Sequence, residues 1–157
     1  ILDSNMSDTI SLEQEVELIH RYLEIESLRF KENIMHQVII DPAIVSSSIT
    51  IPIMMVQPFI ENSVWHGLRD KSGEKTITVT FLLHEEKYIL CIIEDNGTGR
   101  KMKEQTLTEK KSLATGFVTQ RLELLNKIHD LKCSLNIIDK EDNKGTIVEI
   151  VLPILNK

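Results

Sequence analysis

Residues 75–95 read KTITVTFLLHEEKYILCIIED, two runs that alternate on either side of HEEK. A period of two belongs to strands that bury one face, so the segment is expected to form a β-hairpin. Its second strand delivers an acid, Asp95, at the C-terminal end, and Asn96-Gly97-Thr98-Gly99 follows at once. Asn and Gly tolerate positive φ, which makes Asp-Asn-Gly a favoured hairpin turn. Such a turn needs a returning strand, yet residues 101–111 are almost wholly polar and do not alternate. The spacing of Asp95, Gly97 and Gly99 lacks the further oxygen ligands of a calcium loop, and no Gly-Lys-Ser/Thr follows to make a P-loop. The glycines therefore require another explanation.

The elements around the hairpin are legible from capping and periodicity. SLEQEVELIHRYLEIESLRFKEN opens with Ser11 and carries Gln14 three residues on, a capping box, with Glu13, Glu15 and Glu17 complementing the helix dipole. A long helix follows. Its apolar stripe of Leu12, Val16, Ile19, Leu23 and Phe30, with Leu18, Tyr22 and Ile25 beside it, is wider than one small sheet face requires, so part of it is expected to meet a partner chain. MHQVIID reads as a short strand ended by Pro42. IPIMMVQPFIENSVWHGLRD is expected to be helical over about residues 53–66, with Pro58 implying a kink or a later true start. ATGFVTQRLELLNKIHD reads as a further helix, and KCSLNIID and GTIVEIVLPI as a final strand pair. The expected fold class is an α/β (α+β) two-layer sandwich, a mixed and mainly antiparallel sheet with helices on one face.

Bulk properties narrow the function. With 157 residues the chain can bury a core without disulfides or structural metal, and a net charge of −6 with scattered basic residues gives no coherent positive face for nucleic acid. Cys91 and Cys133 lie in strand-like runs with no CxxC spacing, as expected for buried thiols. No apolar stretch approaches the roughly 20 residues that span a bilayer.

Polar residues interrupt the second helix in PFIENSVWHGL. Asn62 and His66 are four apart and share a face, although each could as well lie on the solvent side. A carboxamide beside a carboxylate is an oxygen donor suited to a hard cation such as Mg²⁺. The order QPFIENSVWHGL, a hairpin ending EDNGTG, a polar tract, TGF before a helix and a terminal KGTIVEIVLP resembles the ATP-binding domain shared by histidine kinases, Hsp90, gyrase and MutL. Within that superfamily the chain is most similar to LytS-type sensor histidine kinases, for which SLEQEVELIHRYLEIESLRF is the expected preceding helix. The resemblance runs over nearly the whole chain from Ser11.

Carried over by position, the resemblance implies a site. Asp95 would accept a hydrogen bond from the adenine 6-amino group, since an ionised carboxylate is an acceptor and the amine a donor. Gly97 and Gly99 would let backbone pass close to the nucleotide. Thr146 would support Asp95 and the adenine through its hydroxyl. Asn62 would hold Mg²⁺ on the triphosphate of ATP, and His66 would touch a phosphate. Residues 100–111 would form a lid closed by Gly116, though Ala114 stands where the family often has a second glycine.

The resemblance also frames the reaction. The ATPases of the superfamily carry a water-activating glutamate four residues before the Mg-binding asparagine, a place held here by Pro58. Glu61 adjoins Asn62 but projects about 100° away around the helix, where it could orient a phosphoryl acceptor. Transfer to a histidine is thus expected over hydrolysis. The family's acceptor lies in an upstream Pro-His-Phe-Leu-Phe-Asn segment, and none of His20, His36, His66, His84 or His129 has that context. The chain is expected to be part of a longer membrane-bound sensor of the bacterial inner membrane. Residues 1–33 would be a connecting helix that dimerises in the whole protein, and 34–157 a cytoplasmic catalytic domain serving a response regulator. A nucleotide-binding scaffold is the alternative if Ala114 and Trp65, where related kinases often carry Lys, impair phosphate handling; an anti-sigma serine kinase of the same fold would not predict the long leading helix.

Overall fold

The computed structural model describes residues 8–30, 33–99 and 108–155. The capping box forms as its spacing predicts: the Gln14 N–H donates to Ser11 Oγ at 3.1 Å and the Ser11 N–H to Gln14 Oε1 at 3.4 Å. It starts helix α1, Leu12–Phe30. Just ahead of the helix, β1 (Thr9–Ser11) pairs antiparallel with β3 (Thr50–Pro52), a ribbon too short to show any alternation in the sequence.

The main sheet has five strands in the order β2-β4-β5-β7-β6. β4 (Lys75–His84) and β5 (Tyr88–Asp95) are the expected hairpin, with His84 paired to Tyr88 and Ile77 to Asp95. β2 (Ile34–Ile40) runs parallel to β4, whereas β7 (Thr146–Pro153) is antiparallel to both β5 and β6 (Ser134–Asp139). The sheet is thus mixed and mainly antiparallel, as the strand pattern predicts.

Alternation decides which way the site acid points. Ile89, Cys91 and Ile93 are fully buried under the helices, and Asp95, two residues beyond Ile93, continues the same inward row. Ile77, Val79 and Phe81 on β4 and Val148, Ile150 and Leu152 on β7 complete that face.

Helix α2 begins at Gln57, four residues later than the expected residue 53, with Pro58 in its first turn. Proline has no N–H and is at home only where a helix makes no use of one. After Asn62 the helix widens into a π turn over Ser63–Leu68, a register change that no periodicity announced. Helix α3, Thr108–His129, starts earlier than Ala114, so TGF lies inside the helix and not before it. One glycine among good helix formers costs only about 1 kcal/mol, too little to stop the helix there.

α1 lays Leu12, Ile19 and Leu23 into the same core as Phe59, Val64, Phe81 and Val118, so the core crosses the expected boundary at residue 33. Leu18, Ile25 and Leu28, on the flank of the broad stripe, stay exposed.

Candidate nucleotide site

Asp95 is 3% exposed. The Gly97 N–H donates to its Oδ1 at 2.9 Å, so the loop folds back on the carboxylate that precedes it. Burial pushes the Asp95 carboxyl above the usual carboxylate range; the Gly97 N–H, the Ser63 hydroxyl, the Lys140 charge and the Thr146 backbone oppose that shift. Lys140 also pairs with Glu94.

The glycines are explained by close approach. A Cβ on Gly97 would lie 2.4 Å from the Gly67 carbonyl carbon, and one on Gly67 would lie 3.1 Å from Asp95 Oδ1. The Thr98 N–H donates to the Gly67 carbonyl at 3.0 Å, which fastens the loop to the π turn. Gly145, at φ +123°, passes so near the Asp95 carbonyl that a Cβ would fall 2.0 Å from it. Gly99 has φ +77°, a left-handed backbone that favours glycine. Asn96 holds the loop to β4: its Oδ1 accepts from the Thr76 N–H at 2.8 Å and its Nδ2 donates to the Glu74 carbonyl at 2.9 Å.

The remaining expected residues are spread over several elements. Thr146 stands opposite Asp95 in the β5–β7 register, beside the acid it was expected to support. Asn62 and His66, both half-buried, lie at the start and within the π turn whose Gly67 touches Asp95. Glu61 is exposed, and its charge helps to raise the Tyr22 hydroxyl of α1. Gly116 sits within α3 with no atom of another element within 4 Å of a notional Cβ. The expected lid falls largely on residues 100–107, outside the described residues.

Trp65, which replaces a family lysine, is occupied by contacts to α1 and to its own segment. Its ring packs edge-on against Phe30 of α1 at 5.5 Å, with the Arg29 and Arg69 guanidinium groups 5.5 and 5.3 Å from its centroid. Sequence reasoning also missed Ser63, Gly67 and Gly145. Gly67 reads as helix punctuation, and Ser63 as one more polar residue after Glu61 and Asn62; neither signals contact with an acid some thirty residues away.

The site residues suit a nucleotide carrying its own cation. Asp95 is an acceptor, and Thr98 Oγ1 is buried with no hydrogen-bond partner among the described residues, beside the Gly67–Gly97 contact. Among the described residues no group of three or more His, Cys, Asp or Glu could hold a metal ion.

This sheet with its helices on one face is the fold of histidine-kinase catalytic domains. A mycobacterial sensor histidine kinase, MprB, superposes with a TM-score of 0.61 at 17% identity, over 95% of this chain and 98% of that one. Full-length ShkA, solved in complex with AMPPNP, gives 0.67 at 11% identity, over 94% of this chain and 31% of that one. No protein-family model matches the chain. By sequence it is similar to the sensor protein LytS of Oceanobacillus iheyensis, 28% identical over 152 residues, covering 94% of this chain and 26% of that protein. The sensor protein kinase HptS of Staphylococcus aureus is 28% identical over 155 residues, covering 94% of this chain and 29% of the relative. The chain thus spans between a quarter and a third of the length of these relatives. Among the described residues no helix is long and apolar enough to cross a membrane.

Proposed function

We propose that the chain is the ATP-binding catalytic part of a two-component sensor histidine kinase, and that it passes the terminal phosphoryl of Mg-ATP to a histidine on an upstream segment of the longer protein. The observation that carries this reading is the buried carboxylate of Asp95, aimed into the helical layer and closed in by Gly67, Gly97 and Gly145. The similarity to LytS and HptS sensor kinases supports it.

Bound Mg-ATP supplies the transferable phosphoryl group and the cation that offsets its charge. Asp95, oriented by the Gly97 N–H and Ser63, accepts from the adenine amine. Burial leaves that acceptor few competing waters, so a base without a donor at this position is rejected by the cost of an unpaired polar group. Thr98 is placed to add a hydroxyl contact. Asn62 contributes one amide oxygen to the cation, and His66, on the same turn, contacts a phosphate. Glu61, close enough to α1 for its charge to be felt at Tyr22, would orient the acceptor from that side. Pro58 can activate no water, so transfer is favoured over hydrolysis. A response-regulator receiver domain is the expected next acceptor, and pairing of α1 helices the expected mode of dimerisation.

Isothermal calorimetry with Mg-ATP and AMPPNP tests binding, and radiolabelled ATP tests transfer. The chain alone should stay unlabelled, while an added peptide carrying the Pro-His-Phe-Leu-Phe-Asn segment should gain acid-labile phosphate. No heat of binding at millimolar nucleotide would sink the assignment. Strong labelling of this chain alone would move the acceptor onto one of its own histidines.

A further inference from the structure

The π turn that carries His66 and follows Asn62 is held from two sides. On one side Gly67 packs against Asp95, and its carbonyl accepts from Thr98, tying the turn to the loop expected to read the base. On the other side Trp65 meets α1, with the Phe30 ring edge-on and the Arg29 guanidinium over the indole. Arg29 is itself braced by the Glu26 carboxylate, 3.6 Å away and almost fully buried. Arg69 covers the indole as well, and Lys75 of β4 reaches both the Phe30 ring at 5.5 Å and the Arg69 carbonyl at 3.3 Å. Trp65 is therefore the point at which α1, α2 and β4 converge.

We propose that Trp65 is a positioning residue: α1 grips the indole and through it sets the Asn62–His66 turn, so that the position of α1 controls how the site handles the phosphates and their cation. The proposal rests on the nucleotide-binding reading given above. Its physical basis is that Trp65 and Gly67 lie two residues apart on one short turn. A shift of α1 cannot move the indole without also pressing Gly67 on Asp95 or turning Asn62 and His66. A π turn has a residue more than an α turn and poorer hydrogen-bond geometry, so this stretch gives before the flanking helix does. Phe30, Arg29 and Glu26 lie in the last turns of α1, the part of that helix nearest α2. A rotation or slide of α1 would thus reach Asn62 and His66 through the turn, whereas Asp95 keeps the Gly97 N–H that orients it independently of α1.

Trp65 is the only tryptophan in the chain, so fluorescence excited at wavelengths beyond tyrosine absorption reports on it alone. Titrating the chain with Mg-ATP, Mg-free ATP and Mg²⁺ alone, with calorimetry on the same samples, tests the coupling. Mg-ATP should shift the emission, Mg-free ATP should do so much less, and Asn62→Ala should remove the Mg-dependent shift while leaving ATP binding measurable. Trp65→Ala should lower the affinity advantage of Mg-ATP over Mg-free ATP by about fivefold or more. Affinity for Mg-free ATP should stay within about twofold. Trp65→Phe, which keeps an aromatic face for Phe30 and the two guanidinium groups, should restore most of that advantage. Should Trp65→Ala fail to fold, Arg29→Met loosens the grip from a largely exposed position on α1 and carries the same comparison. A merely structural tryptophan would lower the melting temperature and leave both the emission response and the Mg²⁺ advantage alone. That result, in a sample whose calorimetry shows nucleotide binding, overturns the proposal. No binding by the wild-type chain would instead overturn the nucleotide reading and take the proposal with it.

Discussion

Glu15→Gln should make the protein's stability less dependent on pH between about 5 and 7, where the wild type should lose more stability as pH rises. Glu15 lies on the inner stripe of α1 with Leu12, Ile19 and Leu23, is 2% exposed, and its Oε1 has no hydrogen-bond partner among the described residues. Burial pushes its carboxyl from an ordinary value of 4.5 up to about 7. The folded protein therefore holds the Glu15 proton more tightly than the unfolded chain does, so this group's contribution is complete below pH 4.5 and is lost as pH climbs through 7. The shift spans about 2.5 pH units at 1.36 kcal/mol each, which sets the loss on the order of 3 kcal/mol. Glutamine keeps the shape and never ionises, so it removes this share of the slope. Asp95, also raised by burial, adds a slope of the same sign in both proteins, so the difference between the two curves isolates Glu15. Urea unfolding at a series of pH values, with m held common, measures it. Parallel stability curves for wild type and variant would refute the reasoning, since they would mean that Glu15 reaches water or a cation in the folded state.

Asp95→Asn should weaken adenine nucleotides by about 1–3 kcal/mol, because an amide NH₂ turned to the base opposes a donor with a donor; equal weakening of inorganic triphosphate in a competition assay would contradict the role. Gly97→Ala places a methyl group 2.4 Å from Gly67 backbone and should cost about 1–3 kcal/mol in thermal unfolding as well as nucleotide affinity. Leu23→Ala, at a fully buried position of α1, should cost about 2–5 kcal/mol in urea titrations; a value near zero would show that α1 is not part of the core.

Much of this protein is local in origin, and the sequence by itself determined that part. Ser11 and Gln14 cap α1 within four residues of one another. The two alternating runs around HEEK set the β4–β5 hairpin, and the parity of β5 alone turns Asp95 to the same side as Ile93 and Cys91. The resemblance that the ordered motifs carry groups Asn62, Asp95 and Thr146 in one expected site before any strand is paired. What required the tertiary structure were contacts between elements distant in the chain, which leave no period to read. Gly67 and Gly97 each look like a local punctuation mark, yet they are glycines because a turn of α2 and a loop after β5 meet backbone to backbone. The three-residue strands β1 and β3 exist only because each has the other. Trp65, an odd ring in place of a lysine when read along the chain, acquires its meaning from Phe30 and Arg29 on another helix. Short-range steric and hydrogen-bonding rules act between neighbours and are written in order along the sequence, whereas close packing is decided by whichever surfaces the fold brings together.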